Sequence, residues 1–317
     1  MLVLVAPGQG AQTPGFLAPW LDLDGVADRL RWWSAVTGLD LIHYGTKADA
    51  DEIRDTAVAQ PLLVASGLVA AFTLFPRPDD VPGSVRAAAG HSVGELTAAA
   101  ATGVISAETA LTLVRERGRA MAAAAAVTQT GMSAVLGGDP ETVLAKIAEH
   151  GLTPANMNGA GQIVAAGTLE QLAAFAADPP EKARLRPLAV AGAFHTEHMA
   201  PAVNRLAELV PGVSVRNPSV PFLSNADGTV LSDGHDVVAR LVSQVSNPVR
   251  WDLCMETMKD LGVTGLIEVT PAGTLTALAK RAMPGVETVA LKTPDDLEAA
   301  RKLVEAHGGP TGPQSPS

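Results

Sequence analysis

The five residues Val85–Ala89 read as a buried strand that runs directly into Gly90-His91-Ser92-Val93-Gly94, and an apolar helix follows through Ala101. This junction constrains the fold more than any other stretch of the chain. G-x-S-x-G is the pattern of a nucleophile elbow, where glycines permit a sharp strand-to-helix turn and the serine hydroxyl stands clear of the backbone. It places a reactive oxygen at the end of a sheet, beside amides left free at a helix N-terminus.

The rest of the chain extends the same grammar. Leu2–Ala6 is a short apolar strand, and Pro7-Gly8-Gln9-Gly10-Ala11-Gln12 forms a loop after it. Helical patterns occupy 26–37 and 58–75, and another helix starts at Ser106, an N-cap with Glu108 in its first turn. From about 130 to 191 the pattern becomes strand (Met132–Leu136), helix (Pro140–Glu149), strand (Leu152–Asn156), strand (Gln162–Ala166), helix (Leu169–Ala176), strand (Ala183–Ala189). That order, βαββαβ, is the ferredoxin-like arrangement, so 129–191 reads as an inserted subdomain. Helices at 196–209, 235–245, 251–261, 274–283 and 295–307 then alternate with strands at Val220–Ser224, Val263–Val269 and 286–291. Alternation on this scale favours an α/β fold, a mostly parallel sheet with helices on both faces. Residues 1–128 and 192–307 are expected to form one core around the insert, and the Gly/Pro/Ser-rich 308–317 a disordered tail.

Composition narrows the function. Net charge is −10 with no Lys/Arg block, which argues against nucleic acid and anionic membrane as partners. The longest apolar run, Pro61–Phe75, falls short of the ~18–20 residues that cross a bilayer and is expected to be a buried helix. A single cysteine, Cys254, allows no internal disulfide. It shares a helical stripe with Trp251, Met258 and Leu261, so it reads as core. The chain opens into strand without a signal-like preamble, and a cytoplasmic location is expected.

A nucleophilic serine needs a base, and seven histidines are available. His150 and His307 end helices and read as solvated. His43 and His235 have no distinguishing feature, and His91 adjoins the serine on a tight turn, where neighbours rarely face each other. His195 follows Ala191-Gly192-Ala193-Phe194 at the exit of the insert, a natural cleft between two units. His198 lies three residues on, but no third ligand at a useful spacing accompanies the pair, and no metal is expected. Arg117 falls in the middle of the helical face formed by Ala110, Leu113, Val114, Gly118 and Met121. An arginine there either reaches to a rim, pairs with an internal acid, or holds a planar anion such as a carboxylate. Gly8-Gln9-Gly10 is no dinucleotide loop, because the third glycine of that pattern would fall on Thr13. It is either a ligand loop at a strand end or an ordinary flexible one.

Taken together, several pieces resemble the malonyl-CoA:acyl carrier protein transacylases and the acyltransferase domains of fatty acid and polyketide synthases. They are Pro7–Gln12, Ala59-Gln60-Pro61, Gly90–Glu95, Arg117-Gly118, Ala155-Asn156-Met157-Asn158 with Gly161-Gln162, Phe194-His195, and Gln244 with Asn247-Pro248-Val249. The resemblance implies an α/β-hydrolase-like core with an inserted ferredoxin-like subdomain. It implies Ser92 as nucleophile, His195 as general base, and Arg117 as holder of the malonyl carboxylate. The amides of Gln9 and Val93 would form an oxyanion hole, and the main-chain carbonyl of Gln244 would orient His195. Gln60, Asn156 and Asn158 are implied to support these groups on the substrate side. Phe194 is implied to select malonyl, since related domains carry an aromatic there when they take malonyl and a Ser when they take methylmalonyl. The loop departs from many relatives in having Ala6 and Ala11 for Phe and Ser, which touches no proposed catalytic atom.

The activity so implied is ping-pong transfer of malonyl from coenzyme A to the phosphopantetheine thiol of a holo acyl carrier protein, by a monomer without metal or redox cofactor. Two rivals remain: a serine hydrolase with the same elbow, which would have no use for a buried Arg117, and an inactive module that only binds carrier protein, which need not retain Ser92, His195 and Arg117 together.

Overall fold

The structure, a computed structural model, describes residues 1–77 and 79–309. Eleven strands carry the architecture: β1 (Leu2–Ala6), β2 (Ala87–Gly90), β3 (Thr130–Gly137), β4 (Thr153–Gly159), β5 (Gln162–Thr168), β6 (Ala183–Pro187), β7 (Phe222–Leu223), β8 (Val230–Leu231), β9 (Val249–Arg250), β10 (Gly265–Glu268) and β11 (Glu287–Ala290).

All five residues of β1 are buried and apolar, as a strand covered on both faces must be. It lies inside a sheet of order β11-β10-β1-β2-β7-β8. Every pairing in that sheet is parallel except β7 with β8. Alternation along β1 divides the core. Leu2 and Leu4 pack with the helices Thr56–Leu74 and Gly94–Ala101, whereas Val3 and Val5 pack with Trp251–Asp260 and Thr274–Ala282. Cys254 belongs to the second cluster, and burial raises its thiol pKa, as befits a core residue.

A second sheet has the order β6-β3-β5-β4-β9, antiparallel throughout its first four strands. Those four, with the helices Pro140–Glu149 and Leu169–Ala177, follow the βαββαβ order read from the sequence. The fifth strand, β9, pairs in parallel with β4 and comes from outside 129–191, so that segment does not contain the whole second sheet.

Several expectations are corrected. The helix around Pro61–Phe75 starts earlier, at Thr56, where the Asp55 side chain accepts from the Ala57 N–H. Its 19 residues are long and apolar enough to cross a membrane by composition, but 83% of the most apolar window is buried inside the protein. The helix expected at 196–209 begins at Ala200, after a 3-10 turn at Glu197–Met199, because Pro201 suits a first turn whose N–H groups need no partner. That expected at 235–245 ends at Ser243 and tightens into a 3-10 turn at Gln244–Ser246. His150 and His307 are partly buried rather than freely solvated: the first lies beside Asp178 at 3.2 Å, and the second bonds Thr264 Oγ1 at 2.9 Å. The tail expected at 308–317 lies, from residue 310, outside the described residues.

The Pro7–Gln12 loop leaves the carboxyl end of β1 and the elbow leaves the carboxyl end of β2, side by side where open α/β sheets take ligands.

Candidate active site

Ser92 stands at φ 52°, the left-handed conformation that a non-glycine residue rarely adopts. The two elbow glycines serve a different need, close approach. A Cβ on Gly90 would lie 2.0 Å from the Gly94 carbonyl carbon, and one on Gly94 would lie 2.2 Å from the Ala6 carbonyl oxygen. Asn225 clamps the turn. Its Oδ1 accepts from the Ser92 N–H at 2.7 Å, and its Nδ2 donates to the Gly90 carbonyl at 2.6 Å.

His195 reaches the serine from the segment that leaves β6. It is 3% exposed and also lies at positive φ, 61°. Ser92 Oγ and His195 Nε2 are 2.7 Å apart, and His195 Nδ1 is 2.9 Å from the main-chain oxygen of Gln244. A carbonyl only accepts, so Nδ1 carries the proton and Nε2 is left to receive the serine hydroxyl. Burial, and then the charge of Arg117, lower the imidazole pKa to about 3. It is therefore neutral and ready to act as a base.

Arg117 projects from the helix Ala107–Ala125 on the buried face expected for it and is 2% exposed. Nη1 donates to Gln60 Oε1 at 2.6 Å; Nη2 donates to Gln244 Oε1 at 2.8 Å and to Ser92 Oγ at 3.3 Å. Among the described residues all three acceptors are neutral. Burial lowers its pKa to about 10, which leaves it charged near neutrality. Glu95 acts on this cation through its charge, but among the described residues no carboxylate is hydrogen-bonded to it, and it sits within reach of the nucleophile.

Ser92, His195, Arg117 and Gln60 line one cavity of about 340 Å³, together with Gln9, Val93, Asn156, Asn158 and Phe194. Among the described residues neither the Gln9 nor the Val93 main-chain N–H has a hydrogen-bond partner. Phe194, 6% exposed, both lines the cavity and packs in the cluster that holds Met121, Met132 and Met199. His91 turns away from Ser92, with Nε2 2.8 Å from Asn158 Oδ1 and its ring tilted against Trp251. His43 and His235 lie outside the cavity lining. Among the described residues no group of three or more His, Cys, Asp or Glu could hold a metal ion.

Two residues of the site have no role assigned from the sequence: Glu95, which ends the Gly90–Glu95 match, and Asn225, in Ser224-Asn225-Ala226-Asp227-Gly228. Their roles rest on contacts between distant segments.

With that geometry in place, comparison with known proteins is direct: residues 3–295 match the acyl transferase domain family. The chain belongs to that family. This acyltransferase is 50% identical over 303 residues to the malonyl CoA-acyl carrier protein transacylase of Mycobacterium tuberculosis, covering 96% of this chain and 100% of that protein. The crystal structure of MCAT from Mycobacterium tuberculosis superposes on it with a TM-score of 0.91 at 49% identity, covering 96% of this chain and 99% of the other. A further structural relative is PlMCAT, a malonyl-transacylase solved in complex with AntF (holo), a type II polyketide synthase acyl-carrier protein. Its TM-score is 0.87 at 30% identity, covering 95% of the acyltransferase and 99% of that chain.

Proposed function

We propose that this acyltransferase moves malonyl groups from malonyl-CoA to the phosphopantetheine thiol of a holo acyl carrier protein, for fatty acid or polyketide synthesis. The observation that carries the reading is the pairing of a nucleophile–base couple with a charged, buried arginine whose hydrogen-bond acceptors among the described residues are all neutral. Ser92 Oγ, 2.7 Å from His195 Nε2, gives its proton to the imidazole as it attacks the thioester carbonyl. The C–S bond then breaks, and the coenzyme A sulfur leaves with the proton held on Nε2. In the second half the carrier thiol gives its proton to Nε2, its sulfur attacks the serine ester, and Ser92 Oγ recovers the proton. The oxyanion in both halves is assigned to the main-chain amides of Gln9 and Val93, a reading supported by their lack of a hydrogen-bond partner among the described residues. Arg117 holds the malonyl carboxylate, with Gln60 and Gln244 fixing its guanidinium, and Asn156 and Asn158 line the same cavity.

The Gln244 carbonyl takes the place that an acid holds in the Ser-His-Asp arrangement, orienting the ring without adding a charge. A hydrolase for neutral acyl groups would gain nothing from desolvating Arg117, which favours transfer of a carboxylated acyl group. We further propose a core of 1–128 and 192–307 around an insert at 129–191, acting as a monomer in the cytoplasm.

Intact mass after mixing with malonyl-CoA tests the first half, and a second reading after adding holo carrier protein tests the other. The expected result is a malonyl adduct on Ser92 that the carrier protein removes. An adduct cleared equally fast by water alone would favour the hydrolase.

A further inference from the structure

Glu95 lies in the first turn of the elbow helix and is 1% exposed. A buried carboxylate persists only where its oxygens are satisfied. Here each oxygen takes a different donor: Oε1 accepts from the Asn225 main-chain N–H at 2.7 Å, and Oε2 accepts from Gln244 Nε2. Both donors have other duties. Asn225 clamps the elbow through Ser92 N and Gly90 O. Gln244 gives its carbonyl to His195 and its Oε1 to Arg117, while Nε2 also donates to the Ser92 carbonyl at 2.9 Å.

We propose that Glu95 is a positioning residue of the transfer reaction: its carboxylate ties the Asn225 clamp on the elbow to the Gln244 support of the base and the arginine. The consequence for malonyl rests on the function proposed above; the consequence for the Ser92–His195 pair does not.

The chemistry requires an ionised carboxylate. It is acceptor-only, so it serves both donors at once. An amide at this place has one acceptor and must set its NH2 against either the Asn225 N–H or Gln244 Nε2, and a protonated carboxyl meets one of the two donors only through the weaker acceptor of its O–H oxygen. The charged groups facing Glu95 are Arg117 and Arg240, on two different helices; Cys254 is the thiol packed nearby, and His195 stands beyond Gln244. Burial pushes Glu95 up to about 7, against the pull of its two hydrogen bonds and of both arginines. The positioning form therefore becomes fully populated only above neutrality.

The test uses the full chain as wild type, Glu95→Gln and Glu95→Asp. Ser92 modification by diisopropyl fluorophosphate, a reagent with no titratable group, is timed from pH 5.5 to 9. Malonyl adduct formation on the wild type is measured separately, so failure of the malonyl reading shows there alone. The wild-type modification rate is expected to fall as pH drops through about 7, where Glu95 gains its proton, and the Glu95 variants assign that limb to this carboxyl and not to the His195 imidazole. Glu95→Gln is expected to be slower by about 10–100-fold above pH 8, the scale of one hydrogen bond to a charged group, and to lose the limb. Glu95→Asp, which keeps the charge but is shorter, is expected to be slowed and to retain it. A wild-type rate that is flat between pH 6 and 8, or a Glu95→Gln protein that keeps the limb, overturns the proposal. Should Glu95→Gln fail to fold, Glu95→Asp decides it: a limb whose midpoint moves in that variant belongs to residue 95, and one that stays in place overturns the proposal.

Discussion

Ser92 and His195 are 103 residues apart, both lie at positive φ, and their Oγ and Nε2 atoms meet at 2.7 Å. Each such backbone costs of order 1–3 kcal/mol and persists only where neighbours over-determine it. At Ser92 the restraint is Asn225, bonded on both sides of the turn. At His195 it is a pinned segment: the Ala193 N–H donates to Thr130 Oγ1 at 2.9 Å, and Thr196 Oγ1 donates back to the Ala193 carbonyl at 2.7 Å. The strain holds the hydroxyl and the imidazole in reacting geometry before any substrate arrives.

Ser92→Ala is therefore expected to abolish the acyl-enzyme, since no other hydroxyl lies 2.7 Å from the base. His195→Ala is expected to slow both half-reactions, because one Nε2 takes and returns the proton in each. Stopped reactions with malonyl-CoA, then with holo carrier protein, measure the halves separately. A normal adduct on Ser92→Ala would remove the serine from the mechanism, and loss of only one half in His195→Ala would require a second base.

Much of this was legible from residue order. The strand, Gly-x-Ser-x-Gly and helix are local signals, and Ser106 caps its helix as its position suggests, accepting from the Thr109 N–H at 3.1 Å. Arg117 was visible because a charge in an apolar helical stripe breaks the period. What stayed hidden depends on contacts across the chain. β8 and β9 are two residues each, too short for any period, and exist only through pairing with β7 and β4. Glu95 and Asn225 look like an ordinary first-turn acid and a turn asparagine until the 129 residues between them fold to bring them together.

Removing the guanidinium is expected to separate two acyl groups. A malonyl carboxylate competes with Ser92 for the Arg117 Nη2 donor, whereas an acetyl group leaves that donor on the serine oxygen. Arg117→Ala should lose malonyl transfer by roughly 100-fold or more, as expected for a buried charge pair, yet keep or gain acetyl transfer. Arg117→Lys should substitute poorly, because an ammonium cannot make the planar two-point contact. Paired kcat/KM measurements with malonyl-CoA and acetyl-CoA check this. Equal losses toward both donors would make Arg117 a structural residue.

Acid sensitivity of folding follows from the buried imidazole. His195 has its pKa lowered from 6.5 to about 3 by burial and by Arg117. Between those values the unfolded chain binds a proton here and the native chain does not, so stability falls as pH drops through this window. His195→Asn removes that contribution. The difference in Tm between variant and wild type is therefore expected to move in the variant's favour from pH 7 to pH 4. A difference that stays constant over that range would mean that the native imidazole titrates normally.

Acyl choice is the last consequence, and it turns on Phe194. The ring lines the cavity immediately before the base and is backed by Met121 and Met132. An additional α-methyl on the acyl group would have to share space with it. One methylene in a pocket is worth about 1–3 kcal/mol, so the selection against methylmalonyl should be roughly 10–200-fold and not absolute. Phe194→Ser opens that space without touching Ser92, His195 or Arg117. It also removes a packed ring from the methionine cluster, so a stability loss of about 3 kcal/mol or more is expected alongside. Competition between malonyl-CoA and methylmalonyl-CoA, read by the mass of the acyl-enzyme in folded protein, should shift toward methylmalonyl. An unchanged ratio, with Tm lowered as expected, would assign Phe194 to packing alone and place acyl selection on another wall of the cavity.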